Sequence, residues 1–84
     1  MSKESAIIIF KISKRKTSFD LEVPLFISAN DLVIALNKAY ELGIDVSDIK
    51  SCYLKAENPI ALLKGDKTLA EYGVRNGTVI YYGE

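Results

Sequence analysis

The sequence predicts an α+β fold in which a mixed sheet of four to five strands wraps one helix. Two observations predict this class. Segments near both ends of the chain are β-branched and aromatic, which is typical of half-buried strands, and a segment between them repeats apolar residues at helical spacing. The chain has 84 residues, of which 49% are hydrophobic and 26% charged. We expect one domain over residues 1–84, with an ordered core from about residue 6 to residue 82.

The first two predicted strands form a hairpin. Residues 6–13 are rich in β-branched side chains and contain no breaker. Alternation gives this strand a core face and a wetter face marked by a lysine: Ile8, Phe10 and Ile12 on the first, Ile7, Ile9 and Lys11 on the second. In the second strand Phe19, Leu21 and Val23 alternate with acidic residues, and Pro24 ends the pairing because proline cannot donate to a ladder.

The turn of this hairpin carries three basic residues, Lys14, Arg15 and Lys16. They could bind phosphate or dock a partner, or they could form a solvated loop whose like charges discourage edge association. The solvated loop is favoured, because 11 basic and 11 acidic side chains cancel and no aromatic residue in the loop can stack on a base. We therefore expect no nucleic-acid partner.

Ser28 opens the predicted helix. Its hydroxyl can cap the first turn, Asp31 stands at the capping-box position, and Ile27 and Leu32 fit a hydrophobic staple. Helical spacing gives one apolar face: Ala29, Leu32, Val33, Leu36, Ala39 and Tyr40. Gly43 is expected to end the helix as its C′ residue.

Two shorter strands are predicted after the helix. Residues 50–56 alternate, with Cys52 and Leu54 inward and Tyr53 outward. Residues 60–63 form the fourth strand, after a turn at an asparagine-proline pair.

The stretch from residue 68 to residue 82 is predicted to hold a helical turn and the last strand. Leu69, Tyr72 and Val74 share one side of the turn, and Gly73 allows a positive φ. Residues 78–82 are β-branched and aromatic. Their predicted phase gives two inward and two outward residues: Val79 and Tyr81 toward the core, Ile80 and Tyr82 away from it. Placing this strand parallel to the first gives a β-grasp arrangement.

Catalysis and cofactor binding are not expected. The chain has no histidine, no glycine-rich phosphate loop and no metal-ligand cluster. Cys52, its only cysteine, is interpreted as a small core residue because no histidine could activate it. Few apolar residues precede Lys11, so we expect neither a signal peptide nor membrane insertion, and a cytoplasmic location.

A protein-binding surface is predicted on the sheet face turned away from the helix. Its candidate residues are Ile7, Ile9, Lys11, Tyr53, Ile80 and Tyr82. Together they would form a larger apolar patch than a monomer usually leaves bare, which indicates a protein partner or weak self-association. Ile34 lies roughly opposite Leu36 on the helix and is a further candidate contact, or an isolated exposed residue.

Several segments resemble ubiquitin. Ile9-Phe10 and Asp20-Leu21-Glu22-Val23 look like its hairpin, and Thr68-Leu69-Ala70-Glu71-Tyr72 looks like its Thr-Leu-Ser-Asp-Tyr segment. The resemblance implies the ubiquitin-like β-grasp fold over nearly the whole chain, with Tyr72 bonded to backbone near Lys64 or Gly65.

The sequence is also similar to the YukD/EsaB family of small accessory proteins of bacterial type VII (ESX) secretion systems. Phe-Asp-Leu-Glu-Val-Pro at residues 19–24 and Tyr-Gly-Val-Arg-Asn-Gly at residues 72–77 carry this similarity. It implies a cytoplasmic, non-catalytic adaptor or regulator whose partners are membrane-bound secretion components. The alternative is a covalent modifier or sulfur carrier, which the ending Gly83-Glu84 disfavours, since those relatives end in Gly-Gly.

Overall fold

A computed structural model describes residues 4–83. Expectations about Met1, Ser2, Lys3 and the terminal Glu84 lie outside the described residues. Five strands form one sheet in the order β2-β1-β5-β3-β4. Their bounds are β1 Ser5–Ile12, β2 Thr17–Pro24, β3 Leu54–Glu57, β4 Ala61–Leu63 and β5 Val79–Tyr82, and α1 spans Ala29–Tyr40 between β2 and β3. This is the predicted mixed sheet with one α-helix in the described part of the chain.

The first and last strands lie side by side at the centre of the sheet. β5 runs parallel to β1, with Phe10 beside Ile80, and antiparallel to β3, with Ala56 on its other side. β2 and β4 pair antiparallel with β1 and β3 and form the edges. The predicted β-grasp connectivity is therefore confirmed.

One hydrophobic core lies on one face of the sheet against α1. Its fully buried side chains come from four of the strands (β1, β3, β4 and β5), the helix and the connection before β5: Ile8, Phe10, Val33, Leu54, Leu63, Leu69 and Ile80. The predicted division of β1 is confirmed, since Ile8, Phe10 and Ile12 are buried while Ile7 and Lys11 are exposed. Large apolar side chains from every layer thus leave water together, which is the dominant favourable term in folding.

The predicted start of α1 is confirmed. Ser28 is the N-cap and its hydroxyl accepts from the Asp31 N–H at 3.1 Å. Ala29, Leu32, Val33 and Leu36 are buried as predicted.

The predicted end of α1 is wrong by two residues. The helix stops at Tyr40, and the residue that caps it in the left-handed conformation is Glu41 with φ 52°, although Gly43 also has a positive φ of 77°. Ala39, predicted to face the core, is exposed. The helix ends early because the chain after Tyr40 bonds to the Asn37 side chain and does not continue the helical hydrogen bonds. The Asn37 amide oxygen accepts from the Ile44 N–H at 2.9 Å, and its NH2 group donates to the Ile44 carbonyl at 3.1 Å.

The connection before β5 matches its predicted structure. Leu69 and Val74 are buried and Tyr72 packs against the core. The Tyr72 hydroxyl donates to the Lys64 carbonyl at 2.6 Å and accepts from the Lys64 N–H at 3.3 Å, as the resemblance to ubiquitin implied. Thr68 and Glu71 form a reciprocal capping box on this turn.

The predicted phase of β5 is wrong. Ile80 is fully buried, and Tyr82 packs against the core, while Val79 and Tyr81 lie on the opposite face. Residues paired across a sheet point to the same side, and Ile80 stands between the inward residues Phe10 and Ala56. Thr78, also fully buried, reaches the core with its hydroxyl bonded to the Asn58 carbonyl at 2.8 Å.

Candidate protein-binding surface

The face of the sheet turned away from α1 is called the outer face here. Two rows of residues cross it, each fixed by strand register. The lysine row contains Lys11, Tyr81 and Lys55, which lie side by side on β1, β5 and β3. The acidic row contains Asp20, Ile9, Val79 and Glu57, on β2, β1, β5 and β3. The rows are two residues apart along each strand, or about 7 Å.

Exposed apolar side chains extend the outer face in two directions. Ile7 on β1 is 56% exposed and Leu62 on β4, the neighbour of Lys55, is 44% exposed. Beyond the β4 edge, Ile60 in the preceding turn is 91% exposed. Ile9, Val79 and Tyr81 between them are partly exposed. The outer face therefore combines a half-buried apolar centre with apolar residues at its margins, as protein-binding surfaces do.

The structure places some of the residues predicted for binding on the outer face and others on the core side of the sheet. Ile7, Ile9 and Lys11 lie on the outer face, and Tyr53, which directly precedes β3, is 46% exposed. Ile80 and Tyr82 are not on this face, because the reversed phase of β5 turns them toward the core.

Ile34 is separate from the outer face. It is 42% exposed, as predicted, but it belongs to α1, which packs on the other side of the sheet. One flat partner could not contact Ile34 and the outer face together.

Three uncharged residues of this surface are additional to the predicted set. Val79 and Tyr81 replace Ile80 and Tyr82, and Leu62 joins from the β4 edge. Leu62 had a sequence signal, since it alternates with the buried Leu63. The exposed Ile60 is not assigned to a face, because it follows Asn58-Pro59, a turn in which side-chain direction has no simple period.

The charges of the outer face are arranged unevenly. Lys11 and Lys55 flank Tyr81 in one row, and Asp20 and Glu57 flank the neighbouring apolar pair. Glu22, one step further along β2, accepts a 2.6 Å hydrogen bond from the Ser5 hydroxyl. One side of the face is therefore basic and the other acidic, although the formal net charge of the chain is zero.

The basic hairpin turn has a structural role. The Arg15 guanidinium donates to the carbonyl oxygens of Tyr40 and Glu41 at 2.7 and 2.8 Å. These carbonyls belong to the last residue of α1 and to its C-cap, at the negative end of the helix, which favours a cation. Arg15 thus caps the helix, a role that was not predicted, while Lys14 and Lys16 are exposed.

Cys52 lies at a shallow cleft of about 380 Å³ between the α1–β3 connection and β5. Its thiol is within 3.4 and 3.5 Å of the Asp45 and Asp48 carbonyl oxygens. Burial raises the thiol pKa, and the charges of Asp48 and Asp45 raise it further. The thiolate, which is the nucleophilic form, is thereby disfavoured.

Between residues 4 and 83, no three or more His, Cys, Asp or Glu side chains are grouped so that they could hold a metal ion. In the same part of the chain, no helix has the length and apolar character needed to cross a bilayer.

Comparisons with known proteins identify both a family and a fold. The family model described as "WXG100 protein secretion system (Wss), protein YukD" matches residues 7–81. No curated protein matches significantly.

Solved structures similar to this chain are ubiquitin-like domains. The C-terminal ubiquitin-like domain of mouse tubulin-specific chaperone e is 18% identical with a TM-score of 0.73, over 100% of this chain and 93% of that one. The ubiquitin-like domain of tubulin-binding cofactor B is 22% identical with a TM-score of 0.74, over 95% and 89%. The corresponding domain of Plasmodium falciparum Dsk2 is 20% identical with a TM-score of 0.61, over 95% and 100%. At these identities the similarity shows the fold alone, which is the predicted ubiquitin-like β-grasp.

Proposed function

Because the chain belongs to the YukD family of the WXG100 protein secretion system, we propose that it is a non-catalytic adaptor or regulator of that system. It binds a protein component of the secretion machinery at the cytoplasmic side of the membrane. The observation that carries this proposal is the outer face, where exposed Ile7 and Leu62 flank a half-buried apolar centre. Apolar residues on a rigid sheet suit a docking surface, since little conformational entropy is lost when a partner covers them.

The chemistry of the molecule supports binding rather than catalysis. Cys52 is buried with a raised thiol pKa, and the exposed carboxylate of Asp45 is already bonded to the hydroxyl and the N–H of Ser47 at 2.6 and 3.0 Å. These bonds hold the pKa of Asp45 below its usual range. A general acid or base needs a pKa near the working pH, so neither group is tuned for catalysis.

The test is capture of the protein by the cytoplasmic parts of the membrane components of its own secretion system. Wild-type chain immobilised on beads should retain one of these purified parts. Ile7→Asp with Leu62→Asp places two charges on the outer face and should reduce retention at least about tenfold, because each charge would be buried without a partner.

Ile34→Asp is the control, since it introduces an aspartate at an apolar residue of similar exposure on α1, away from the outer face. It should bind like wild type. If only Ile34→Asp lost binding, the partner would bind at α1 and the proposal for the outer face would be wrong.

The alternative, a covalent modifier or sulfur carrier, predicts a different observation. Mass spectrometry of cell extract would then find this chain attached to other proteins, or with a C-terminal thiocarboxylate. Either result would overturn the adaptor proposal.

A further inference from the structure

The outer face is complementary to itself. The lysine row and the acidic row are neighbours; strand register fixes the first across three strands and the second across four. A surface that is basic on one side and acidic on the other attracts the same surface turned around by 180°.

A two-fold axis gives this arrangement if it lies in the plane of the contact, runs perpendicular to the strands and passes midway between the two rows. It reverses the strand direction of the second copy and places the lysine row of each copy on the acidic row of the other. Lys55 then meets the second copy's Glu57, and Tyr81 covers the second copy's Val79. Lys11 lies over the second copy's Ile9. The second copy's Asp20 is on the neighbouring strand, displaced sideways by one strand spacing of about 5 Å.

Such a contact would bury the apolar centre of the outer face. Ile9, Val79 and Tyr81 are partly exposed, so covering them removes apolar surface from water without first rearranging the fold. The charges favour the antiparallel orientation, because stacking the two copies with parallel strands would place the lysine rows on each other, and like charges repel.

We infer that two copies of this chain associate through their outer faces, in an antiparallel two-fold arrangement held in register by the Lys55–Glu57 and Lys11–Asp20 pairs. The dimer covers the residues that the proposed function assigns to a secretion partner. Self-association and partner binding are therefore mutually exclusive, and the dimer is a masked form of the adaptor.

Sedimentation velocity of the purified chain tests this arrangement through a pair of charge-reversed variants. Wild-type protein should show a sedimentation coefficient that rises with concentration and falls with added salt. Variant Lys11→Glu/Lys55→Glu is acidic in both rows, and variant Asp20→Lys/Glu57→Lys is basic in both. Each should self-associate at least about tenfold more weakly than wild type, since the rows now repel.

An equimolar mixture of the two variants should associate at least as well as wild type, because each supplies the charge that the other lacks. Recovery in the mixture also shows that both variants are folded. Lys38→Glu, an exposed reversal near the end of α1, is the control and should behave as wild type.

Three results would overturn the inference: a wild-type chain that stays monomeric at every concentration, variants that associate as wild type does, or a mixture that fails to associate. The measurement uses this chain alone. A monomeric result would therefore leave the proposed docking on the secretion machinery standing.

Discussion

Arg15 shows how one side chain can connect distant parts of the chain. It lies in the β1–β2 turn, 25 residues before Tyr40, and bonds the two carbonyls that end α1. A run of three basic residues gives no indication of which one has a structural partner. The sequence therefore predicted a charged turn, and the contact depends on how the hairpin and the helix pack.

Replacing Arg15 by alanine is expected to destabilise the fold. The change removes two charge-assisted hydrogen bonds and leaves the helix end without its cation, which should cost about 1–2 kcal/mol. Urea unfolding followed by circular dichroism measures it. Lys14→Ala, an exposed lysine of the same turn, should change stability by less than about 0.5 kcal/mol; equal losses for the two variants would contradict the capping role.

Glu71 is expected to make stability depend on pH. Its carboxylate accepts from the N–H and the hydroxyl of Thr68, at 2.9 and 3.1 Å, and these bonds hold its pKa below the usual range, with a smaller contribution from Lys67. The folded state thus favours the charged form. The stabilisation is present above the unfolded-state pKa, about 4.3 for glutamate, and is lost as the pH falls through the lower folded-state value.

Glu71→Gln isolates this dependence. Wild type should be more stable than the variant at neutral pH, and the difference should shrink below about pH 4 as Glu71 takes up a proton. Thermal melts of both proteins at a series of pH values provide the comparison. A stability difference that is constant or grows toward low pH would show that Glu71 acts by another route.

At the scale of elements, the sequence was most informative where polar residues mark one face. The Lys11 position fixed the phase of β1, and Ser28 with Asp31 fixed the start of α1. Residues 78–82 carry no such mark, because Val, Ile and Tyr suit either face of a strand. The phase of β5 is set instead by pairing with β1 and β3, which no local pattern contains.

Alanine substitutions on β5 test its corrected phase. Ile80→Ala should lower the free energy of unfolding by about 2–5 kcal/mol, since it opens a cavity beside Phe10 and Ala56. Val79→Ala, on the outer face, should cost about 1 kcal/mol or less, because the side chain is only half-buried. The reverse order of the two effects would restore the original prediction.

The error in β5 also explains how much of the candidate surface could be predicted. Ile7, Ile9 and Lys11 followed from the phase of β1, and their placement on the outer face is confirmed. Ile80 and Tyr82 failed together, since a shift of one residue exchanges every side chain of a strand between the two faces. Whether the outer face binds a partner stays a prediction until capture is measured.

For the molecule as a whole, the fold was predictable because several local patterns agree with one topology. Two alternating strands, a capped helix and the Thr68–Tyr72 turn each fit the β-grasp order, and such agreement is what specifies one structure. The uneven charge of the outer face was not predictable from composition, since zero net charge conceals it. Only the register places Lys55 next to Tyr81 and Glu57 next to Val79.

Truncation tests the dependence of the whole molecule on β5. A chain ending at Thr78 lacks the strand between β1 and β3 and should lose cooperative unfolding, since Phe10 and Ala56 would lose their common neighbour. A chain ending at Tyr82 should keep a cooperative transition in a thermal melt. A cooperative transition in the shorter chain would mean that the sheet closes without β5.

The central place of β5 also bears on how the protein is made. A ribosome delivers β1 first and β5 last among the five strands, yet these two strands are adjacent in the finished sheet. The sheet can therefore close over its core only after residues 79–82 have been synthesised. We expect the nascent chain to expose part of its core until then, and to be open to chaperones for that time.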